Sequence, residues 1–494
     1  MQLIMSLLKV CVLFLCLFAG VLSCDLSSSQ DEVLQRANLA AYITRKKAEI
    51  EPRYRLLYHV APPVGWMNDP NGFTYFMGEY HLFYQYYPYN SSWGTMHWGH
   101  SSSSNLVDWT EQPTALLPGK EQIFSGSGIE VGGTLVLMYT GHIDIEGQAA
   151  SESQYLAFSN DGIMFHKYKN NPVIPRSPNG SPHFRDPKVW KHDNYFYVVI
   201  GSQTTEGYGR VLLYRSPDMV KWEFLSVIGE STGDMGYMWE CPDFFELKGK
   251  HILLMSPQGI VPQGDRYKNT HQTGYIIGSF NYETFEFVPE VDFQEIDFGH
   301  DFYATQTTEV DGKRILIAWF GMWDVPHPED VDGWAGAMTI FRELDLVANR
   351  ITMKPVEAMI ELRTETIFEG EFLEEDVILF EKTGELILKG DLSKNIVLEI
   401  EGSDGGGQVT VRWDSSVRKV VVDREGDVRQ MEWLPIQSES WRIFLDASSL
   451  ELFCGEGEVV FSTRVYPDGG WNVTNLSPQP LDAVAYKLRR SVPE

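Results

Sequence analysis

Short apolar stretches alternate with clusters of Gly, Asp, Asn and Pro along most of this chain, and helical spacing stands out only once near the start. Residues 31–50 place Val33, Leu34, Ala37, Ala40 and Ala41 on one helical face, with Leu39 and Ile43 off it, which predicts one helix buried on the alanine side. Five later segments share one layout: a polar or small residue, an extended stretch, a turn, then a strongly apolar strand. They are "DPNGFTYFMGEYHLFYQY" from Asp69, "SGSGIEVGGTLVLMYTG" from Ser125, "DPKVWKHDNYFYVVIG" from Asp186, "ECPDFFELKGKHILLMS" from Glu240 and "YATQTTEVDGKRILIAWF" from Tyr303. The starts lie 56, 61, 54 and 63 residues apart, and the second strands are expected at Tyr80, Thr134, Tyr195, His251 and Arg314. Hairpins at a near-regular period, with little helix between them, are the signature of a β-propeller with four-stranded blades. Five copies predict five blades over residues 55–345.

Residues 346–362, within "NRITMKPVEAMIELRTET", read as a short helical linker. From 363 to 494 the stretches "NIVLEIEG", "GQVTVRWD", "SWRIFLDASSLELF" and "AVAYKLRR" alternate between Gly, Asp and Ser punctuation, as in a β-sandwich. The expected fold is all-β, a five-bladed β-propeller followed by a C-terminal β-sandwich.

The repeat changes how one local motif reads. In isolation "WMNDPNG" is a turn, with Asp69 an ordinary solvated acid. If the five segment starts are equivalent positions on the innermost strands, they ring one end of the central channel. Three of the five are acids: Asp69, Asp186 and Glu240. Carboxylates far apart in sequence then meet in one funnel.

Composition narrows the partners. Formal net charge is −28 over 494 residues, so a nucleic-acid backbone would be repelled. Lys9 followed by "VCVLFLCLFAGVL" reads as a secretory signal over residues 1–23, ahead of an N-terminal helical segment over 24–54. The expectation is a secreted chain with no membrane attachment after cleavage. Cys11 and Cys16 would leave with the signal, and Cys24, Cys241 and Cys454 are too scattered for a disulfide framework. "NSS" at 90 and "NVT" at 472 are glycosylation acceptors.

Clustered acids bind a cation, line a polar channel, or divide acid and nucleophile work on a sugar. No D-x-D-x-D-G loop is present, and His97 and His100 lack partners at metal-ligand spacing, so neither metal nor cofactor is expected. Cleaving a glycosidic acetal needs one carboxylic acid and one carboxylate, held in environments that push their pKa values apart. Glu240 in "YMWECPDFF" sits among apolar residues that would keep it protonated. Asp69 beside Asn68, and Asp186 beside Arg185, would stay ionised. Residue chemistry alone leaves the nucleophile open between the two aspartates.

"WMNDPNG", "FSGS", "FRDP", "WECPDFF" and "DFYATQ", in this order, together resemble the invertases and fructan hydrolases of glycoside hydrolase family 32, and the likeness runs from about residue 54 to 490. The resemblance implies a retaining double displacement on a β-fructofuranosyl unit. In it Asp69 is the nucleophile, Glu240 the general acid and then base, and Asp186 the transition-state stabiliser. It also implies a sugar pocket of Trp66, Asn68, Gln85, Trp93, Phe124, Ser125 and Arg185, with Trp319 or Trp323 on the far rim. Ser101 and Asn105 depart from the family's usual Ala and Asp. The implied activity is that of a secreted β-fructofuranosidase (invertase) acting on sucrose, with raffinose or fructans as further small-molecule carbohydrate substrates. An exo-acting fructan hydrolase, a fructosyltransferase and a non-catalytic glycan-binding propeller are the alternatives.

Overall fold

The computed structural model describes residues 30–493; the expected signal segment, residues 1–23, lies outside the described residues. Five sheets follow one another along the chain, each with four consecutive or near-consecutive strands. Their first strands are Gly65–Phe76, Gln122–Val131, Gly180–His192, Met238–Leu247 and Tyr303–Val310. Each of these packs against the next and the last packs against the first, so they close a ring around a channel. The second strands begin at Glu79, Thr134, Tyr195, Lys250 and Lys313, each within one residue of the sequence expectation. Strands buried on both faces pack blade against blade, as with Val136, Met138, Val198 and Ile200 between the second and third sheets.

The ring closes through a clasp. Trp334–Ala335, in the loop after the fifth blade's second strand, runs parallel to Gly65–Trp66 and adds a fifth strand to the first blade. A side chain at Gly336 would put its Cβ 2.0 Å from the Met67 carbonyl oxygen, and the residue has φ +85°, so this contact requires glycine.

Two expectations need correction. The linker assigned to 346–362 begins too early, because Arg350–Pro355 is the outermost strand of the fifth blade, paired with Arg342–Val347. Ala348 and Asn349 both have positive φ and form the tight hairpin turn between them. Helix formers in "VEAMIEL" masked a strand that ends just before them; only Glu357–Leu362 is helical, as a 3-10 turn. The N-terminal helix, Gln30–Lys47, buries Leu39 and Ile43, while Val33 and Leu34 are exposed, the reverse of the expected face. The true contact face also carries Arg36, which donates to the carbonyls of Thr114 and Ala115, and Lys47, which pairs with Glu111. Polar residues at both ends hid that face from a reading based on apolar spacing. Leu39 and Ile43 contribute about 1.5–3 kcal/mol each by burial.

Beyond Arg363, two six-stranded antiparallel sheets face each other over one core that contains Trp413, Trp433, Trp441 and Trp471. This β-sandwich meets the propeller through buried charge. His59 lies between Asp446 Oδ2 and Glu451 Oε1, each at 2.8 Å. Arg342 donates to Asp297 Oδ2 at 2.8 Å and to Glu451 Oε2 at 2.5 Å.

Candidate active site

Every innermost strand breaks register near the same end. The shifts fall between Met67 and Pro70, Phe124 and Gly126, Arg185 and Lys188, Glu240 and Asp243, and Tyr303 and Thr305. These are β-bulges, which bend a strand and re-aim a side chain. Three of them hold a proline, Pro70, Pro187 and Pro242; proline cannot donate to the ladder, so in a central strand it belongs at a bulge. Asp186, Cys241 and Ala304 have φ of +67°, +46° and +52°. "NDPNG" is therefore not a turn: Asp69 lies within a strand whose ladder is interrupted so that its carboxylate faces inward.

Asp69 is buried. Its Oδ2 accepts from Ser125 Oγ at 2.7 Å and its Oδ1 from Asn68 Nδ2 at 3.0 Å; Trp66 Nε1 in turn donates to Asn68 Oδ1 at 2.8 Å. The Cys241 thiol lies 3.5 Å from Asp69 Oδ2 and 3.7 Å from Asp186 Oδ2, so one sulfur bridges the two aspartates. Asp186 Oδ2 also accepts the Cys241 N–H at 2.9 Å, and the Asp186 N–H donates to Thr140 Oγ1 at 2.9 Å. Glu240 stands on the same bulged strand as Cys241. Its Oε1 accepts from Arg185 Nε and Nη2 at 2.9 and 2.7 Å, and its Oε2 from Gln258 Nε2 at 2.9 Å and the Tyr303 hydroxyl at 2.6 Å.

The electrostatics depart from the sequence expectation. Burial pushes Asp69 above the ordinary carboxylate range and the charge of Glu240 adds to this, while Ser125, Asn68 and Cys241 pull against them. Asp186 is pushed well above that range, by burial first and by Glu240 next; Arg185, whose guanidinium is bound by Glu240 and Glu152, pulls against this without offsetting it. The surroundings of Glu240 are polar, not apolar. Its neighbour Trp239 points into the packing between blades, with Nε1 on the Met235 carbonyl, as alternation along a strand requires. Burial pushes the Cys241 thiol far up, helped by Asp69 and Asp186, so it is a donor and not a nucleophile.

The remaining expected residues divide. Phe124 flanks the site and stacks on His142, with ring centroids 4.1 Å apart, and half-exposed Trp93 stands edge-on to it at 6.2 Å. Gln85 is buried and spends its amide N–H on the Ile123 carbonyl. Trp323 packs against Trp66 and Trp319. Trp319 is 0% exposed and belongs beneath this cluster, not on a rim, because it ends the fifth blade's second strand with its ring turned into the core.

Four contributors were not found from sequence: Tyr303 as a partner of Glu240, Gln258, Glu152 and His142. Burial opposes charge on Glu152, yet Arg185, His142 and the Phe184 N–H outweigh it and hold Glu152 at about 2. A chain of contacts thus runs from Asp144 through His142, Glu152 and Arg185 to Glu240. Only Tyr303, inside "DFYATQ", carried a signal, because it starts the fifth repeat.

Three carboxyl groups at the mouth of a propeller channel, two of them buried and bridged by a thiol and the third part-buried and gripped by an arginine, form the acid–base apparatus of a glycoside hydrolase. The model of the glycosyl hydrolases family 32 N-terminal domain matches residues 59–355, and that of the family 32 C-terminal region matches 361–480. The chain belongs to glycosyl hydrolase family 32. It is similar to the family 32 β-fructofuranosidase of Bombyx mori, at 59% identity and a TM-score of 0.92, over 94% of this chain and 100% of that one. It is 40% identical to the sucrose-6-phosphate hydrolase of Zymomonas mobilis, over 83% of this chain and 86% of that protein. It is 37% identical to the raffinose invertase of Escherichia coli, over 87% of this chain and 93% of that one.

Proposed function

We propose that this chain is a secreted β-fructofuranosidase that releases fructose from the non-reducing end of sucrose with retention of configuration. The observation that carries the reading is the convergence of Asp69, Asp186 and Glu240 on one bulged ring, with Cys241 bridging the aspartates. A substituted form of the Bombyx mori relative is solved in complex with sucrose, which supports sucrose as the substrate here. Secretion is supported by the apolar run that follows Lys9.

The Asp69 carboxylate attacks the fructosyl C2 while the C2–O bond to glucose breaks and Glu240 gives its proton to the departing oxygen. Glu240, now a carboxylate, takes a proton from water; the water oxygen attacks C2 and Asp69 leaves. Asp186 holds fructose hydroxyls and steadies the positive charge that develops at C2.

The test is fructose release by the purified mature chain from sucrose, sucrose-6-phosphate, raffinose, inulin and levan, compared as kcat/KM. Preference for sucrose and raffinose is expected. Preference for the polymers would make the protein an exo-acting fructan hydrolase, transfer of fructose to a second sugar would make it a fructosyltransferase, and preference for the phosphorylated sugar would argue against secretion. Asp69→Asn is expected to abolish release while leaving the fold intact; full activity in that variant, with deamidation excluded, refutes its role.

A further inference from the structure

The strand Val459–Arg464 is the outermost of its sandwich sheet. An outermost strand exposes a row of unpaired backbone groups. Here that row is taken up by residues 297–301 of the propeller, the segment leading into the fifth blade. The Phe298 N–H donates to the Val460 carbonyl at 2.9 Å, and the Asp301 N–H to that of Ser462 at 3.1 Å. In return the Ser462 N–H donates to Asp297 Oδ1 at 3.0 Å and the Arg464 N–H to Asp301 Oδ2 at 2.8 Å. The approach is close enough that a Cβ on Gly299 would lie 2.0 Å from the Ser462 carbonyl oxygen. His300 spans Thr463 Oγ1 at 3.0 Å and the Asp427 carbonyl at 2.8 Å. Arg424, from the other sandwich sheet, completes the clamp by donating to Asp301 Oδ2 at 2.7 Å.

Two residues past Asp301 comes Tyr303. Its hydroxyl touches Glu240 Oε2 at 2.6 Å and lies 3.2 Å from the Ser256 carbonyl. Ala304 follows in a left-handed conformation, so the backbone turns sharply just beyond the clamp. Burial, with Glu240 second, pushes the Tyr303 phenol well above its ordinary value, which keeps it a donor. Hydrogen bonds weaken steeply with misalignment, and a catalytic group must be held to about 0.5 Å. Within the fifth blade Arg342 donates to Asp297 Oδ2 at 2.8 Å, at the far end of the segment, whereas Asp301, next to Tyr303, is held by the sandwich contacts just described.

We propose that the β-sandwich is a positioning element of the active site, in which Arg424 and the edge strand Val459–Arg464 anchor Asp301 and thereby set the Tyr303 hydroxyl on Glu240. Arg424 and Asp301 are positioning residues and touch no substrate. The proposal rests on the functional reading above, with Glu240 as acid and base.

A readout that separates acid catalysis from general damage is the comparison of sucrose with 4-nitrophenyl β-D-fructofuranoside, whose phenolate leaves without a proton. Arg424→Met is expected to lower kcat and kcat/KM on sucrose about tenfold with KM little changed, a fraction of what general acid catalysis supplies. On the nitrophenyl substrate its kcat/KM, which reports only the first displacement and needs no acid there, should stay within about twofold of the parent. Tyr303→Phe should show the same pattern more strongly, and Arg424→Lys should restore most of the loss. If Arg424→Met does not fold, the isosteric Asp301→Asn carries the same test. Parallel losses of kcat/KM on both substrates, or no loss on either, overturn the proposal. A parent enzyme that cleaves neither substrate overturns this inference and the functional reading together, and shows itself before any variant is made.

Discussion

Ser125→Ala isolates one hydrogen bond to the proposed nucleophile. Ser125 Oγ donates to Asp69 Oδ2 at 2.7 Å, inside a site where burial and Glu240 already favour the protonated form of Asp69. A hydrogen bond to a charged group contributes about 1.5–3 kcal/mol, and about 1.4 kcal/mol corresponds to one pH unit. Asn68 and Cys241 still donate after the change, so the lower part of that range applies. The donor stabilises only the ionised form, so its loss makes Asp69 hold its proton to higher pH. Attack requires the carboxylate; the acid limb of kcat/KM should therefore move up by about one pH unit, with a much smaller change on the plateau. The assay is fructose release from sucrose at subsaturating concentration from pH 3 to 8, parent and variant side by side. An acid limb that stays in place or moves down refutes the reasoning.

Three further outcomes follow from the same geometry. Arg185→Met leaves Glu240 and Glu152 without their shared buried cation and should cost about 3–5 kcal/mol in urea unfolding; an unchanged midpoint would contradict it. Cys241 should resist iodoacetamide at pH 8 in the folded protein and react only on unfolding, as read by mass spectrometry, because burial and its two aspartates suppress the thiolate. His59 should make stability pH-dependent. Burial lowers its pKa, but Asp446 and Glu451 outweigh that and leave it raised. A raised histidine contributes in full below its unfolded value of about 6.5, and the contribution is lost as pH climbs through the folded value. Tm should therefore fall from neutral pH toward pH 9, and His59→Gln should flatten that fall.

How much was legible in the sequence depended on whether a signal was local or repeated. The repeat placed the second strands to within a residue and brought Asp69, Asp186 and Glu240 to one end of the channel. That worked because a propeller turns sequence period into angular position. The environments of those acids were not legible. "YMWECPDFF" looked apolar around Glu240, yet its aromatic neighbours alternate away into the blades and Arg185, Gln258 and Tyr303 arrive from three other places in the chain. Arg185 looked like the partner of its neighbour Asp186; at a bulge adjacent side chains diverge, and it serves Glu240 and Glu152 instead. Glu152 and His142 carried no motif, since they meet only as cross-strand partners in the second blade, from which Glu152 reaches Arg185 of the third. The helix face was misjudged for a related reason: Arg36 and Lys47 belong to the buried side because of what they reach.

The two-residue clasp of Trp334–Ala335 on Gly65–Trp66 has a mechanical meaning. A circle made from a linear chain always has a seam, and here the seam is held by a very short parallel pairing, the less stable kind per residue. The lip of that seam is the strand that carries Asp69, three residues past the paired Trp66. Heat or denaturant that loosens the join is expected to disturb the nucleophile's strand, a prediction read by comparing turnover with the β signal in circular dichroism along one melt. Turnover lost ahead of any change in secondary structure would mark an opening ring, and would make the catalyst only as durable as its shortest stitch.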